Sequence, residues 1–179
     1  ISHIKNGDDM ENVVITGASS GIARKVIERL KKKNYHIYVT VHTEKQLELA
    51  KERYQNDSNV TCLKLDITNN RDRKQLNNIR IDVLVCNAAI GYGGSIAEIP
   101  MDRVRDNFEV NVFSNFEVVQ LVIKQMIKQN HGRIVMISSL AGLVPIPFLD
   151  TYSATKASII MLTSSLRYEL KLLDTKVKL

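Results

Sequence analysis

Tyr152 and Lys156 stand four residues apart at the head of an apolar-periodic stretch, so a helix there carries both side chains on one face. A phenol with an ordinary pKa of about 10 is a poor acid or base near neutrality, and an ammonium beside it favours the phenolate. Lowering that pKa by roughly three units takes about 4 kcal/mol, within reach of a lysine acting with a second nearby cation. Ser139, thirteen residues upstream of Tyr152 at the end of the apolar run Ile134 to Ser138, is placed to hydrogen-bond a carbonyl oxygen. A tyrosine and a lysine at helical spacing are common, so the pair alone decides nothing.

A second group of residues suits phosphate. The apolar run Val13 to Thr16 leads directly into Thr16-Gly17-Ala18-Ser19-Ser20-Gly21-Ile22-Ala23-Arg24, and helical periodicity opens from that turn. Glycines let backbone approach a pyrophosphate closely, and the free N–H groups and dipole of a helix N-terminus favour an anion. Ser19 and Ser20 add hydroxyl donors. The spacing differs from the general G-x-G-x-x-G fingerprint, and plain turn chemistry also fits the segment. Asp66 follows the run Val60 to Leu65, where it can accept from an adenine amino group; an N-cap or turn aspartate fits that position equally. After the run Ile81 to Cys86 comes Asn87-Ala88-Ala89-Ile90-Gly91-Tyr92-Gly93-Gly94, whose small residues leave room for a flat ligand or simply form a flexible loop.

These residues fall at the ends of regularly alternating elements. Strands are predicted at Val13 to Thr16, Tyr35 to Val41, Val60 to Leu65, Ile81 to Cys86 and Ile134 to Ser138. Helices are predicted at Ile22 to Lys33, Glu44 to Tyr54, Met101 to Gln129 and Tyr152 to Leu172, with a short one at Arg71 to Asn77. Alternation of this kind predicts an α/β chain: a Rossmann-type doubly wound parallel sheet in three α/β/α layers, with right-handed crossovers and helices on both faces. Lys176 to Leu179 begins a further strand-like alternation, so the reading expects a single domain over residues 10 to 179 that is cut at the start of a sixth strand. Residues 1 to 9 are polar and unpatterned, which reads as a leader or a disordered extension.

Composition narrows the function classes. The chain has 179 residues, 44% of them hydrophobic, enough for one domain with a sizeable core. Cys62 and Cys86 lie inside apolar runs and read as small buried hydrophobes, with no disulfide framework. The four histidines share no spacing with a cysteine or with one another, so no metal site is expected. The formal charge of +6 is spread along helices rather than clustered, which argues against a nucleic-acid partner and leaves a mild attraction for phosphates. No apolar run approaches membrane-span length, so a cytoplasmic setting with no membrane partner is expected.

Taken together, Thr16 to Ala23, Asp66, Asn87-Ala88-Ala89, Asn111, Ser139 and Tyr152-Ser153-Ala154-Thr155-Lys156 closely resemble, in order and spacing, the short-chain dehydrogenase/reductases from about Met10 onward. The resemblance implies that Gly17, Ser19, Ser20, Gly21 and Ile22 line a pyrophosphate, that Asp66 and Ile67 approach an adenine, and that Asn87 and Ala88 flank ribose and nicotinamide. It implies a catalytic tetrad of Asn111, Ser139, Tyr152 and Lys156, in which Tyr152 and Lys156 also touch the cofactor. Hydride then passes between nicotinamide and a carbonyl or alcohol carbon, Tyr152 moves the oxygen's proton and Ser139 polarises it. Lys156 and an oxidised nicotinamide favour the phenolate, and Asn111 helps order a water.

Two positions depart from the family pattern: Ala23 stands for a third glycine and Ala89 for a glycine after the fourth strand. Val41 and His42 are not acidic where an NAD-selective site places a carboxylate, so NADP is expected over NAD, with His42 and Thr43 toward the 2′-phosphate. A homodimer or homotetramer is expected through the helices Met101 to Gln129 and Tyr152 to Leu172, because Val118, Val119, Leu121, Val122, Ile159, Ile160, Leu162 and Leu166 exceed one sheet-facing stripe. Substrates remain open among 3-oxoacyl carriers, steroids, retinoids, polyols and xenobiotic carbonyls. The competing class is a non-catalytic dinucleotide-binding regulator, which needs no phenolic acid/base. A sugar-nucleotide epimerase is disfavoured by the glycine spacing.

Overall fold

The computed structural model describes residues 10–19 and 21–179. Five parallel strands, β1 (Glu11–Ile15), β2 (Tyr35–Val41), β3 (Val60–Lys64), β4 (Val83–Cys86) and β5 (Arg133–Met136), lie in the order β3-β2-β1-β4-β5. After β3 the chain crosses back over β2 and β1 to begin β4, so the strand order reverses between β1 and β4. Such a switch point opens a crevice at the strands' carboxyl ends.

Alternation along each strand divides the core in two. On one face Val13 and Ile15 of β1 join Ile37, Val39 and Val41 of β2 beneath Ala23 and Ile27 of α1 (Gly21–Leu30) and Ala50 and Tyr54 of α2 (Glu44–Tyr54). On the other, Val14, Leu84 and Ile134 meet Val118, Val122 and Met126 of α5 (Asn115–Gln129) and Leu170 of α6 (Asp150–Leu172). Between β3 and β4 lie the short α3 (Asn70–Lys74) and a 3-10 turn at Gln75–Asn78. At the far edge Lys178 bridges in parallel to Arg133, and the Ile134 amide donates to the Lys178 carbonyl at 2.8 Å.

Two expectations need correction. Met101 to Gln129 is not one α-helix: α4 (Met101–Phe108) and α5 are separated by a π-helical turn at Glu109–Ser114, within which the Val110 carbonyl accepts from the Asn115 side chain. The residues expected to form an outer interface mostly do not. Val118, Val119, Val122 and Ile159 are buried, and Leu121 and Leu166 pack on the same core, so the stripe facing the sheet is wider than helical counting allowed. The exposed large apolar side chains of this region are instead Met101, Phe113, Phe116, Ile127, Met161, Tyr168 and Leu172. Among the described residues, no helix is long and apolar enough to cross a membrane.

Candidate active site

The turn after β1 is built for close approach. Gly17 has φ +61°, and a Cβ there would stand 2.6 Å from the Ala88 Cα, so only glycine lets this turn lie against the loop after β4. The two segments are clasped by side chains. The Thr16 hydroxyl accepts from the Asn87 and Ala88 amides at 3.0 and 3.1 Å, and the Asn87 side-chain amide donates to the Thr16 and Gly17 carbonyls at 3.0 Å each. Gly21, at φ +60°, faces open space, with nothing within 4 Å of where a Cβ would stand.

Beside this turn opens a cleft of about 500 Å³ lined by Gly17, Ser19, Gly21, Ile22, His42, Asp66, Ile67, Asn87 and Ala88, all expected to bind cofactor. That volume falls within the ~300–1,000 Å³ of small-molecule sites. Gln46, Leu65, Thr68, Ala89, Ile90 and Val110 complete the lining. Ser20 lies outside the described residues. The unobstructed backbone at Gly21 and the hydroxyl and amide donors of the turn fit a pyrophosphate-bearing dinucleotide.

At the cleft's β2 and β3 end, the His42 ring lies 3.3 Å from the Asp66 carboxylate. Burial pushes the Asp66 pKa up, but the Thr68 hydroxyl and amide, donating at 2.7 and 2.9 Å, and the His42 ring more than offset this and hold it below the usual aspartate value. Thr43 and Gln46 form a capping box that starts α2: the Thr43 hydroxyl accepts from the Gln46 amide, and the Gln46 side chain accepts from the His42 and Thr43 amides. The expectation that His42 and Thr43 meet an anion without like-charge repulsion therefore changes, because a carboxylate adjoins the imidazole.

The other end of the cleft is held by three asparagines spaced four apart. Asn107 exchanges two hydrogen bonds with the Tyr92 backbone at 2.9 and 3.0 Å, Asn111 exchanges two with Ile90 at 2.8 Å each, and Asn115 donates to the Ala88 carbonyl at 3.0 Å. Four helical residues rise about 6 Å and two extended residues about 6.6 Å, so the two repeats stay in step. Asn115 also donates to the Val110 carbonyl at 2.9 Å, which belongs to the π turn. Asn111 reaches on to the Thr155 hydroxyl at 3.0 Å, and Thr155 donates to the Tyr152 carbonyl at 2.7 Å. Its side chain is thus committed to positioning the loop and α6.

Lys156 is buried, its Nζ donates to the Ile137 carbonyl at 3.0 Å, and it lies 5.7 Å from the Tyr152 ring centre. Burial lowers the lysine's pKa. The Tyr152 ring packs beside Gly91, where a Cβ would be 3.4 Å from it, and Gly91 adjoins the cleft-lining Ile90. Ser139 caps the 3-10 turn Leu140–Gly142 by accepting from the Ala141 amide at 3.2 Å. That turn rests on α6 at Lys156: a Cβ on Gly142 would come within 2.7 Å of the Lys156 carbonyl carbon, and the Ser138 hydroxyl donates to the Lys156 carbonyl at 2.9 Å. None of Asn111, Ser139, Tyr152 and Lys156 is among the residues that line the cleft; the Tyr152 ring adjoins it through Gly91.

Sequence reading missed Asn107, Asn115, Gln46 and Thr68. The four-residue spacing of Asn107, Asn111 and Asn115 was a usable signal, a polar stripe on an otherwise core-facing helix. Cys86 is buried with its thiol pushed up to about 12, and burial also raises Cys62, so neither is a reactive thiolate.

The chain belongs to the short chain dehydrogenase family, whose model matches residues 11–178. It is 32% identical over 171 residues to the probable short-chain type dehydrogenase/reductase VdlC of Helicobacter pylori, covering 92% of this chain and 61% of that protein. It is 30% identical to the 3-oxoacyl-[acyl-carrier-protein] reductase FabG of Rickettsia conorii, covering 87% and 65%. Among solved structures it is similar to ElxO with NADP bound (TM-score 0.87, 26% identity, covering 96% and 71%) and to a short chain dehydrogenase/reductase from Burkholderia phymatum in complex with NAD (TM-score 0.89, 26% identity, covering 95% and 63%). The chain thus spans less than two thirds of the length of these curated relatives.

Proposed function

We propose that this chain is the dinucleotide-binding and catalytic part of an NAD(P)-dependent oxidoreductase that interconverts carbonyl and alcohol groups. The observation that carries the reading is a buried ammonium, Lys156, beside the Tyr152 ring at one end of a dinucleotide-sized cleft. The cofactor, held along Gly17, Ser19, Gly21, Ile22, Asn87 and Ala88, would supply or accept the hydride. Tyr152 holds the proton at its phenolic oxygen, delivering it to a substrate oxygen on reduction and removing it on oxidation. Lys156 stabilises the phenolate by charge. Ser139, carried on a turn packed against Lys156, donates to the substrate oxygen. Asn111 positions the loop and helix that hold these groups, and it is there that a water linking Lys156 to solvent would be ordered. A regulator that only binds dinucleotide gains nothing from such a lysine and tyrosine.

The sheet supports a sixth strand beginning at Lys176 to Leu179, since Lys178 already bridges β5. Exposed Phe113, Phe116, Met161 and Tyr168 support self-association through the α5 and α6 side of the molecule, as a homodimer or homotetramer. A cytoplasmic location and a small-molecule substrate complete the reading. The full-length protein, assayed for cofactor oxidation and reduction against ketones and alcohols, is expected to turn over at least one class. Tight cofactor binding with no turnover across the panel would favour the regulator.

A further inference from the structure

The Asn107 side chain joins two elements. Besides its two bonds to the Tyr92 backbone, its Nδ2 donates to the Thr151 hydroxyl at 2.9 Å, and Thr151 is the residue before Tyr152. Asn111 repeats the pattern four residues along: it accepts from the Ile90 amide, donates to the Ile90 carbonyl and donates to the Thr155 hydroxyl at 3.0 Å. Both asparagine–threonine pairs are separated by 44 residues in the chain. The two rungs therefore keep one register between α6 and the segment that runs from α4 into the π turn.

The repeat has two rungs. Asn115 continues the four-residue spacing, but the position 44 residues beyond it is Ile159, which carries no hydroxyl, and the Asn115 amide turns to the Ala88, Val110 and Asn111 carbonyls. The two threonines bracket Tyr152, one immediately before it and one three residues after it, where the Thr155 hydroxyl donates to the Tyr152 carbonyl at 2.7 Å. The loop ends of the rungs bracket its ring in the same way, because Tyr92 and Ile90 flank the Gly91 on which the ring packs. Asn107, Thr151, Tyr152, Gly91 and Tyr92 thus form a closed circuit, and Asn111 closes another on the far side. Asn107 is 0% exposed and commits both N–H groups and its carbonyl oxygen to these partners, a fully satisfied buried network that holds them in one arrangement.

We propose that Asn107, acting through Thr151, is a second positioning residue for Tyr152, matched to Asn111 acting through Thr155, and that the phenol reaches the substrate oxygen only with both rungs in place. This rests on the acid/base role proposed above for Tyr152. Misplacing a reacting group by about 1 Å can cost roughly 10²-fold in rate, so loss of a bond one residue from the phenol is read in kcat. Neither Asn107 nor Thr151 lines the dinucleotide cleft, so cofactor affinity does not share the loss.

Thr151→Val keeps the β-branched shape and deletes the hydroxyl that Asn107 reaches. In the full-length protein it is expected to lower kcat about tenfold and leave the cofactor dissociation constant within about twofold, while Thr151→Ser, which restores the hydroxyl, returns kcat to within about twofold of wild type. The deciding comparison is made in the Tyr152→Phe background. With no phenolic oxygen left to place, Thr151→Val is expected to change the residual kcat there by less than about twofold. An equal loss in both backgrounds, a Ser variant as slow as the Val variant, or an unchanged kcat with a lowered Tm would show that the rung only supports the fold. Any of these would overturn the proposal and leave the proposed function standing. Turnover by Tyr152→Phe alone at the wild-type rate would overturn the acid/base role itself, and this proposal with it.

Discussion

The Lys156 ammonium lies 5.7 Å from the centre of the Tyr152 ring, is buried, and is anchored at 3.0 Å on the Ile137 carbonyl where the chain leaves β5. The burial that brings this charge to the phenol also penalises it, and the lysine pKa is lowered accordingly. With a lysine depressed in the native state, the unfolded chain binds more protons just below the ordinary lysine value of about 10.4. Lys156 therefore opposes folding while charged, and its contribution improves as pH rises through the native value.

Lys156→Met keeps the length of the side chain and removes that charge. It is expected to leave Tm at neutral pH unchanged or raised, and to flatten this residue's share of the alkaline rise in stability. Turnover is expected to fall roughly 10²–10⁴-fold as the phenol loses its cation. Thermal melts across neutral and alkaline pH, read beside kcat, separate the two effects, and a large loss of Tm would contradict the first.

Asn111→Ala leaves the Ile90 amide and carbonyl unpaired at a buried junction and removes the link to Thr155. The expected cost is about 1–3 kcal/mol of stability. Cofactor affinity should also weaken, because the loop from Ala88 to Tyr92 loses its middle clasp. Denaturant unfolding and cofactor titration measure both, and an unchanged unfolding midpoint would contradict the positioning role.

Gly142→Ala directs a methyl group into Lys156 backbone, with a closest approach of 2.7 Å. Neither partner is a flexible side-chain tip, so the turn bearing Ser139 must lift from α6. A loss of about 1–3 kcal/mol is expected, with kcat falling more than cofactor affinity. Unaltered kinetics would show that Ser139 does not depend on this packing.

Where structure follows from local chemistry, the sequence was enough. The bounds of β2 and α2 come out as read, one from its apolar run and the other from helical periodicity, and the capping box at Thr43 and Gln46 is the local chemistry that starts α2. The π turn was not legible, because it depends on Asn111 and Asn115 reaching a loop more than twenty residues away. Helical periodicity likewise could not show that Val119 and Val122 are both consumed by the sheet. Nine expected cofactor contacts share one cleft because each stands at a strand end or the turn after it, a position the topology fixes.

The central claim is that Tyr152 moves the proton, and Tyr152→Phe tests it most directly because it removes one oxygen and leaves the ring beside Gly91. Measured on the full-length protein with a carbonyl substrate, kcat is expected to fall about 10²–10⁴-fold while the dissociation constant for the cofactor stays within about twofold. Reduction by the Phe variant at the wild-type rate would contradict the assigned chemistry even with the fold and the dinucleotide cleft intact.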